Sequence, residues 1–291
     1  MERHPRSRAG SGSMSGEHDR VRDEWRAVAG GWRRWEPLFQ SFTWPVALRM
    51  AAVAHVGDGK RVLDVGCGIG DPTLQVAVLV GPHGRVLGID LVDDMIATAR
   101  ERATALGLAH VEFRAGDVAA IELPPAAYDA VLARWSVIYL ADVGQALARL
   151  RAALAPGGRI AVTAWAPPDA NPWITIPMEA LATLAPLPPL DPKAPGLFHL
   201  SPDGALADRL RSAGFGDVHQ ERVQLSQFAR DATEFWAMLT DMAGPLAPLL
   251  AGRAESERAQ VFRAVAERIA RFRTGDVFRI PAQAQLAWGE A

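Results

Sequence analysis

The chain has 291 residues, 49% of them hydrophobic and 22% charged, with a formal net charge of −2. That is enough for one large domain with insertions, and too neutral for a field that would hold nucleic acid or an anionic membrane surface, so the expected partner is a small molecule. The lone cysteine, Cys67, excludes internal disulfides and cysteine-based zinc clusters, and no apolar run approaches the ~20 residues of a membrane span, so a cytoplasmic location is expected, with a homodimer left open.

The first 20 residues are charged and rich in Gly and Ser with no apolar segment behind their arginines; they read as a disordered tail and not as a secretory signal. Residues 21–56 follow a helical pattern interrupted at "AGG" and at Trp44-Pro45, which predicts two or three short helices forming an N-terminal lid loaded with Trp25, Trp32, Trp35 and Trp44. From 57 to 166, β-rich runs such as "RVLDVG", "RVLGID", "VEFRAGD", "YDAVLARW" and "GRIAVTAW" alternate with amphipathic stretches, the rhythm of βαβ units and a parallel sheet. In one such stretch Met95, Ile96, Ala99, Ala103 and Leu106 recur at three and four, so this face should pack on the sheet and Gly107 should end the helix. Residues 167–200 are crowded with proline and predict an irregular apolar substrate cap around one short helix near 177–184. "SPDGALADRLRSAGF" then predicts a helix and "DVHQERVQLSQF" a strand; residues 231–273 form a helical insertion and "AQAQLAWGE" a last strand, so 201–291 completes the core.

The chemistry concentrates in "RVLDVGCGIGDP". Gly66, Gly68 and Gly70 follow a strand, and Asp71-Pro72 open the next helix as N-cap and first-turn proline, which puts the loop at the carboxyl end of the first strand, where open α/β sheets bind ligands. The spacing is GxGxG, not the GxGxxG of dinucleotide sites. Asp64 and Asp71 around the turn would oppose a pyrophosphate and favour a ligand carrying positive charge. Asp90, ending the second strand, can accept the hydroxyl protons of a ribose, and Asp117 after the third can accept from an adenine amine. Leu91, Met95 and Val118 offer apolar faces for the base. Ammonium, sulfonium, ribose and adenine in that order describe S-adenosyl-L-methionine.

With "VLDVGCGIG", "VLGIDLVDDMI", "FRAGDV", "YDAVLARWSVIYLAD" and "LAPGGRIAVTAW" in this order, the segment Val62 to Trp165 resembles the class I S-adenosylmethionine-dependent methyltransferases, in the branch of quinone-biosynthesis and natural-product enzymes. The resemblance implies an α/β, Rossmann-like sheet of seven strands with the last antiparallel. It also implies that Gly66, Cys67, Gly68 and Gly70 line the methionine moiety, that Asp64 organises its ammonium group, and that Asp90 takes the ribose and Gly116, Asp117 and Val118 the adenine. Arg134 matches an arginine common in this branch, with Trp135 and Ser136 then facing cofactor and substrate.

Plainer roles stand beside these. Cys67 can be simply a small apolar side chain, Arg134 can pair with Asp142 or another acid, and Trp165, Trp173 and Trp236 can pack the cap as well as line the substrate cavity, to which Trp32 is also assigned. The histidines show no HxxxH or HExxH spacing, so no metal site is expected. Should a general base be needed, His199 and Tyr139 are the candidates, although a hydrogen-bonded structural role also fits His199. The expected activity is methyl transfer to oxygen or carbon of a small apolar or aromatic metabolite, in secondary metabolism or quinone-like. A protein of the same fold doing non-methyl chemistry such as cyclisation is the alternative, with an NAD-dependent oxidoreductase behind it.

Overall fold

The computed structural model describes residues 11–184, 186–187, 191–242, 249–250 and 252–291. Seven long strands make one sheet: β1 (Arg61–Val65), β2 (Arg85–Asp90), β3 (Val111–Ala115), β4 (Tyr128–Ala133), β5 (Leu154–Trp165), β6 (Gly216–Ala229) and β8 (Val277–Glu290), with the two-residue β7 (Arg273–Thr274) paired to the start of β8. The order is β3-β2-β1-β4-β5-β8-β6. The first five run parallel, whereas β8 is antiparallel to both β5 and β6, so the seven-stranded sheet with a reversed last strand is the one found. Central strands covered on both faces read as continuous apolar runs: Val62 and Leu63 of β1 and Ala130 to Ala133 of β4 are fully buried.

The crossovers of the parallel half are α2 (Thr73–Val80), α3 (Asp93–Ala105) and α4 (Val143–Ala153). In α3 Met95, Ile96, Ala99 and Ala103 are buried, but Leu106 is the C-cap and lies 61% exposed, one residue past the packed face. The helix within the proline-rich cap is α5 (Pro172–Ala182); it starts earlier than its sequence suggests because Pro172 occupies the first turn, where a missing N–H costs nothing. Next come α6 (Ala205–Ser212), α7 (Ala232–Met242) and α8 (Glu255–Ile269), the last two falling in the expected helical insertion.

The N-terminal region departs most from its sequence reading. Instead of a tail to residue 20 and broken short helices, a single helix, α1, runs from Ser11 to Val53 through Pro37 and Pro45; residues 1–10 lie outside the described ones. Tertiary burial overrides local propensity here. Gly31 is no break: a Cβ there would collide with the Asp241 carbonyl, so the glycine lets α1 touch α7. Asp241 accepts from Arg34 Nη1 at 2.6 Å and Trp35 Nε1 at 2.8 Å, and Trp32 Nε1 donates to the Met242 carbonyl at 3.1 Å. Further along, Val46 and Met50 are fully buried, and Phe42 meets Trp173 edge-on with centroids 5.3 Å apart.

Candidate functional site

Parallel pairing brings the carboxyl ends of β1, β2 and β3 side by side, with Val65 against Ile89 and Asp90 against Ala115. The glycine loop hooks over β2: the amides of Gly66 and Cys67 donate to the Ile89 carbonyl at 2.7 and 3.0 Å. Asp90 then steers the loop with its carboxylate, Oδ2 accepting from Gly68 N at 2.8 Å and Oδ1 from Val92 N at 3.0 Å. Each oxygen keeps acceptor capacity for a ligand hydroxyl. Burial pushes the Asp90 carboxyl up while the Val92, Gly68 and Leu91 amides pull it down. Asp117 Oδ1 accepts from Ala119 N at 2.8 Å, fixing that second acid at the same rim.

A cavity of about 270 Å³ opens over these strand ends. Gly66, Cys67, Gly68, Asp90, Leu91, Met95, Gly116, Asp117, Val118 and Arg134 all border it. So do Tyr139 and the set read as substrate-facing, Trp32, Trp135, Ser136, Trp165 and Trp173. Trp135 stacks on Trp165 at 4.2 Å and 11°, and Trp165 meets Trp173 edge-on at 4.9 Å, giving a rigid aromatic wall. Trp236 stands elsewhere, near Phe262. Gly66 has a packing reason, since a Cβ there would collide with Ser136.

Three of the expected site residues lie off the cavity wall. Asp64 is fully buried below the loop, its Oδ2 taking the Thr73 hydroxyl at 2.5 Å and its Oδ1 without a partner among the described residues; burial lifts its pKa to about 6. Gly70 backs against Leu74 and Ala99. His199 is buried, with Nδ1 held 2.9 Å from the Ile138 carbonyl and its pKa lowered by that burial, and it does not border the cavity.

Other side chains are redirected too. Cys67 borders the cavity but also belongs to a buried cluster with Leu74, Ile96, Ala99 and Phe113, its thiol pKa raised by burial. Asp71 is no N-cap, since Pro72 precedes Thr73 in α2 and the Asp71 carboxylate takes Gln40, Gln75 and Arg102. Arg134 does not pair with Asp142, which caps α4 through Gln145 N; it donates to Thr43 Oγ1 and to the Asp71 carbonyl, both at 2.8 Å. Its guanidinium lies 5.5 Å from the Trp135 ring centroid, and burial lowers its pKa against the pull of Asp71 and Asp64.

Sequence reasoning missed Glu36 and Phe39 of α1, Ile174 and Met178 of α5, and Met238 and Met242 of α7, all of which border the cavity. Trp25, Trp32, Glu36 and Phe39 are spaced seven, four and three apart, one face of an unbroken helix, so the signal was present once α1 is taken as continuous.

The residues present suit a cationic nucleoside. A Cβ on Gly68 would meet nothing within 4 Å, so the loop offers open backbone at the wall. Among the described residues the cavity is bordered by four acids, Glu36, Asp71, Asp90 and Asp117, against the single cation Arg134, a balance that repels a diphosphate and welcomes a sulfonium and an ammonium. No grouping of metal-ligating side chains occurs among the described residues. Nor is any described helix long and apolar enough to cross a membrane.

Comparison with known proteins agrees with this chemistry. A methyltransferase-domain family model matches residues 57–185. The nocamycin O-methyltransferase of Saccharothrix syringae is 33% identical over 203 residues, 66% of this chain and 72% of that protein. A demethylmenaquinone methyltransferase of Symbiobacterium thermophilum is 30% identical over 132 residues, and the match spans only 48% of that protein's length. In fold the chain is similar to the phosphoethanolamine N-methyltransferase 2 of Haemonchus contortus solved with S-adenosyl-L-methionine, at a TM-score of 0.58 and 19% identity over 94% of this chain and 59% of that one. With its acid rim, its reversed last strand and these relatives, the chain belongs to the class I S-adenosylmethionine-dependent methyltransferases, in the branch that holds natural-product and demethylmenaquinone enzymes.

Proposed function

We propose that this enzyme methylates an oxygen or carbon of a small, flat, largely apolar metabolite of the natural-product or quinone type. One observation carries the reading: one cavity has acids at its strand-end floor, and tryptophan, methionine and aliphatic side chains make up most of the rest of its wall. In this reading Asp90 and Asp117 hold the nucleoside, Leu91, Met95 and Val118 sandwich the base, and the Trp135–Trp165–Trp173 wall orients a planar acceptor. S-adenosylmethionine supplies an already activated methyl group, so the protein's work is alignment and exclusion of water.

His199 is turned away, and burial holds the Tyr139 phenol well above its usual range, so Tyr139 acts as a neutral hydroxyl and not as a proton acceptor. Positioning then suffices only for an acceptor that is acidic in its own right, such as a phenol, an enol or a carboxylic acid. The test is incubation with methyl-labelled cofactor and a panel of phenols, enols and unactivated alcohols. Label is expected in the acidic acceptors and not in the alcohols. Transfer to alcohols at equal rates would remove the acidic-acceptor reading, and a substrate that is transformed while all label stays on the cofactor would favour cyclisation or other non-methyl chemistry.

A further inference from the structure

The buried position of Asp64 leaves open which carboxylate meets the cofactor's ammonium group. Asp71 is already more heavily engaged: Oδ1 accepts from both Gln40 and Gln75, and Oδ2 from the Arg102 cation at 3.2 Å. Asp90 and Asp117 belong to the strand ends β2 and β3. The remaining acid on the wall, Glu36, comes from α1.

Glu36 stands where α1, α3 and the glycine loop meet. It borders both the main cavity and a shallow groove at the α1–α3 seam lined by Arg33, Ile69, Glu101 and Arg102. Arg102 Nη2 donates to Glu36 Oε1 at 2.5 Å, while its Nη1 donates to the Ile69 carbonyl at 2.7 Å. One guanidinium thus fixes the Glu36 carboxylate relative to the very loop that runs along the cavity floor. Glu36 Oε2 has no partner among the described residues. Burial, reinforced by Asp71, pushes the Glu36 carboxyl up against the opposing pull of Arg102, so a bound cation would relieve an existing electrostatic cost. Arg134 carries the opposite charge on the same wall, which suits a ligand end bearing both an ammonium and a carboxylate.

We propose that Glu36, held by Arg102, accepts the hydrogen bond of the cofactor's α-ammonium group, so that the N-terminal helix is itself part of the cofactor site. This rests on the cofactor assignment above and adds a residue to it. The rival role is a plain staple between α1 and α3.

The two separate in a binding experiment that needs no turnover. Calorimetry would compare S-adenosylhomocysteine with its desamino analogue, in which hydrogen replaces the ammonium group, on the wild type, Glu36→Gln and Arg102→Gln. The wild type should prefer the amine-bearing ligand by about 10-fold or more, the usual size of a hydrogen bond to a charged group. Glu36→Gln should collapse that preference to within about threefold while binding the desamino ligand as before, and Arg102→Gln should weaken both ligands yet keep most of the preference. Equal losses of both ligands in Glu36→Gln, or an undiminished preference, would overturn the proposal. If Glu36→Gln does not fold, Glu36→Asp, which keeps the charge but retracts it by one methylene, must cut the preference at least about threefold, and an unchanged preference there is equally fatal. Failure of the wild type to bind S-adenosylhomocysteine at all would instead remove the cofactor assignment.

Discussion

Replacing Asp64 by asparagine should stabilise the protein at about pH 8 and leave it little changed near pH 4. The side chain is fully buried, one oxygen on Thr73 and the other unpartnered among the described residues. Burial lifts its carboxyl from 3.8 to about 6, against the Thr73 hydroxyl and Arg134, with Asp90 and Asp71 adding to the rise. That interval corresponds to about 3 kcal/mol of bias against the ionised form. Because the folded carboxyl holds its proton more tightly than the unfolded one, its favourable contribution is complete below 3.8 and is lost as the pH rises through about 6. Asparagine mimics the protonated acid and suffers no such loss. The stability difference between Asp64→Asn and the wild type should therefore move by about 2–3 kcal/mol in the variant's favour between pH 4 and pH 8. Urea denaturation at both values, followed by tryptophan fluorescence, measures it. A difference that stays constant with pH, or moves the other way, refutes the argument that desolvation dominates at this site.

Three further outcomes follow from packing and hydrogen bonding. Gly66→Ala forces a methyl group onto Ser136 and should cost about 1–3 kcal/mol by thermal melting and abolish S-adenosylhomocysteine binding; retention of full affinity would mean that the loop can step aside. His199→Asn should leave kcat within about threefold while lowering Tm, since its bond to Ile138 is structural. Burial lowers the His199 pKa below the usual 6.5, so the wild type loses this residue's contribution as the pH falls through 6.5, and the variant's stability should fall less across that window. Asp241→Ala removes the acceptor of both Arg34 and Trp35 and should destabilise by about 1–2 kcal/mol in denaturant, with KM for the acceptor rising more than kcat falls.

The parallel half of the sheet and its glycine loop were legible because their signals are local: apolar runs of strand length, turn residues between them, and acids where strands stop. The long helix was not. Gly30-Gly31 and Trp44-Pro45 read as breaks, and only the approach of Asp241 from the far end of the chain shows why a glycine is required at position 31. The same distance effect hid the acid on the wall. Asp64 lies in the motif and so drew the ammonium role, but a side chain beneath the loop is screened from the cavity by the loop itself, whereas Glu36 arrives from outside the motif altogether. His199 likewise looked poised beside the cap until the loop from Gly196 to Leu200 folded back onto Ile138.

The bonds from Trp32 and Trp35 to Met242 and Asp241 join positions separated by 210 and 206 residues. A ribosome working at about 5–20 residues per second needs about 10–40 s to bridge that separation. Throughout that interval the strands of the amino-terminal half can already pair and Ile69, Val92 and Met95 can meet Trp25 and Trp32, while the indole N–H groups of Trp32 and Trp35 lack the acceptors that α7 brings. The ligand chamber is thus completed late in biogenesis, when Met238, Leu239 and Met242 arrive to close its last side.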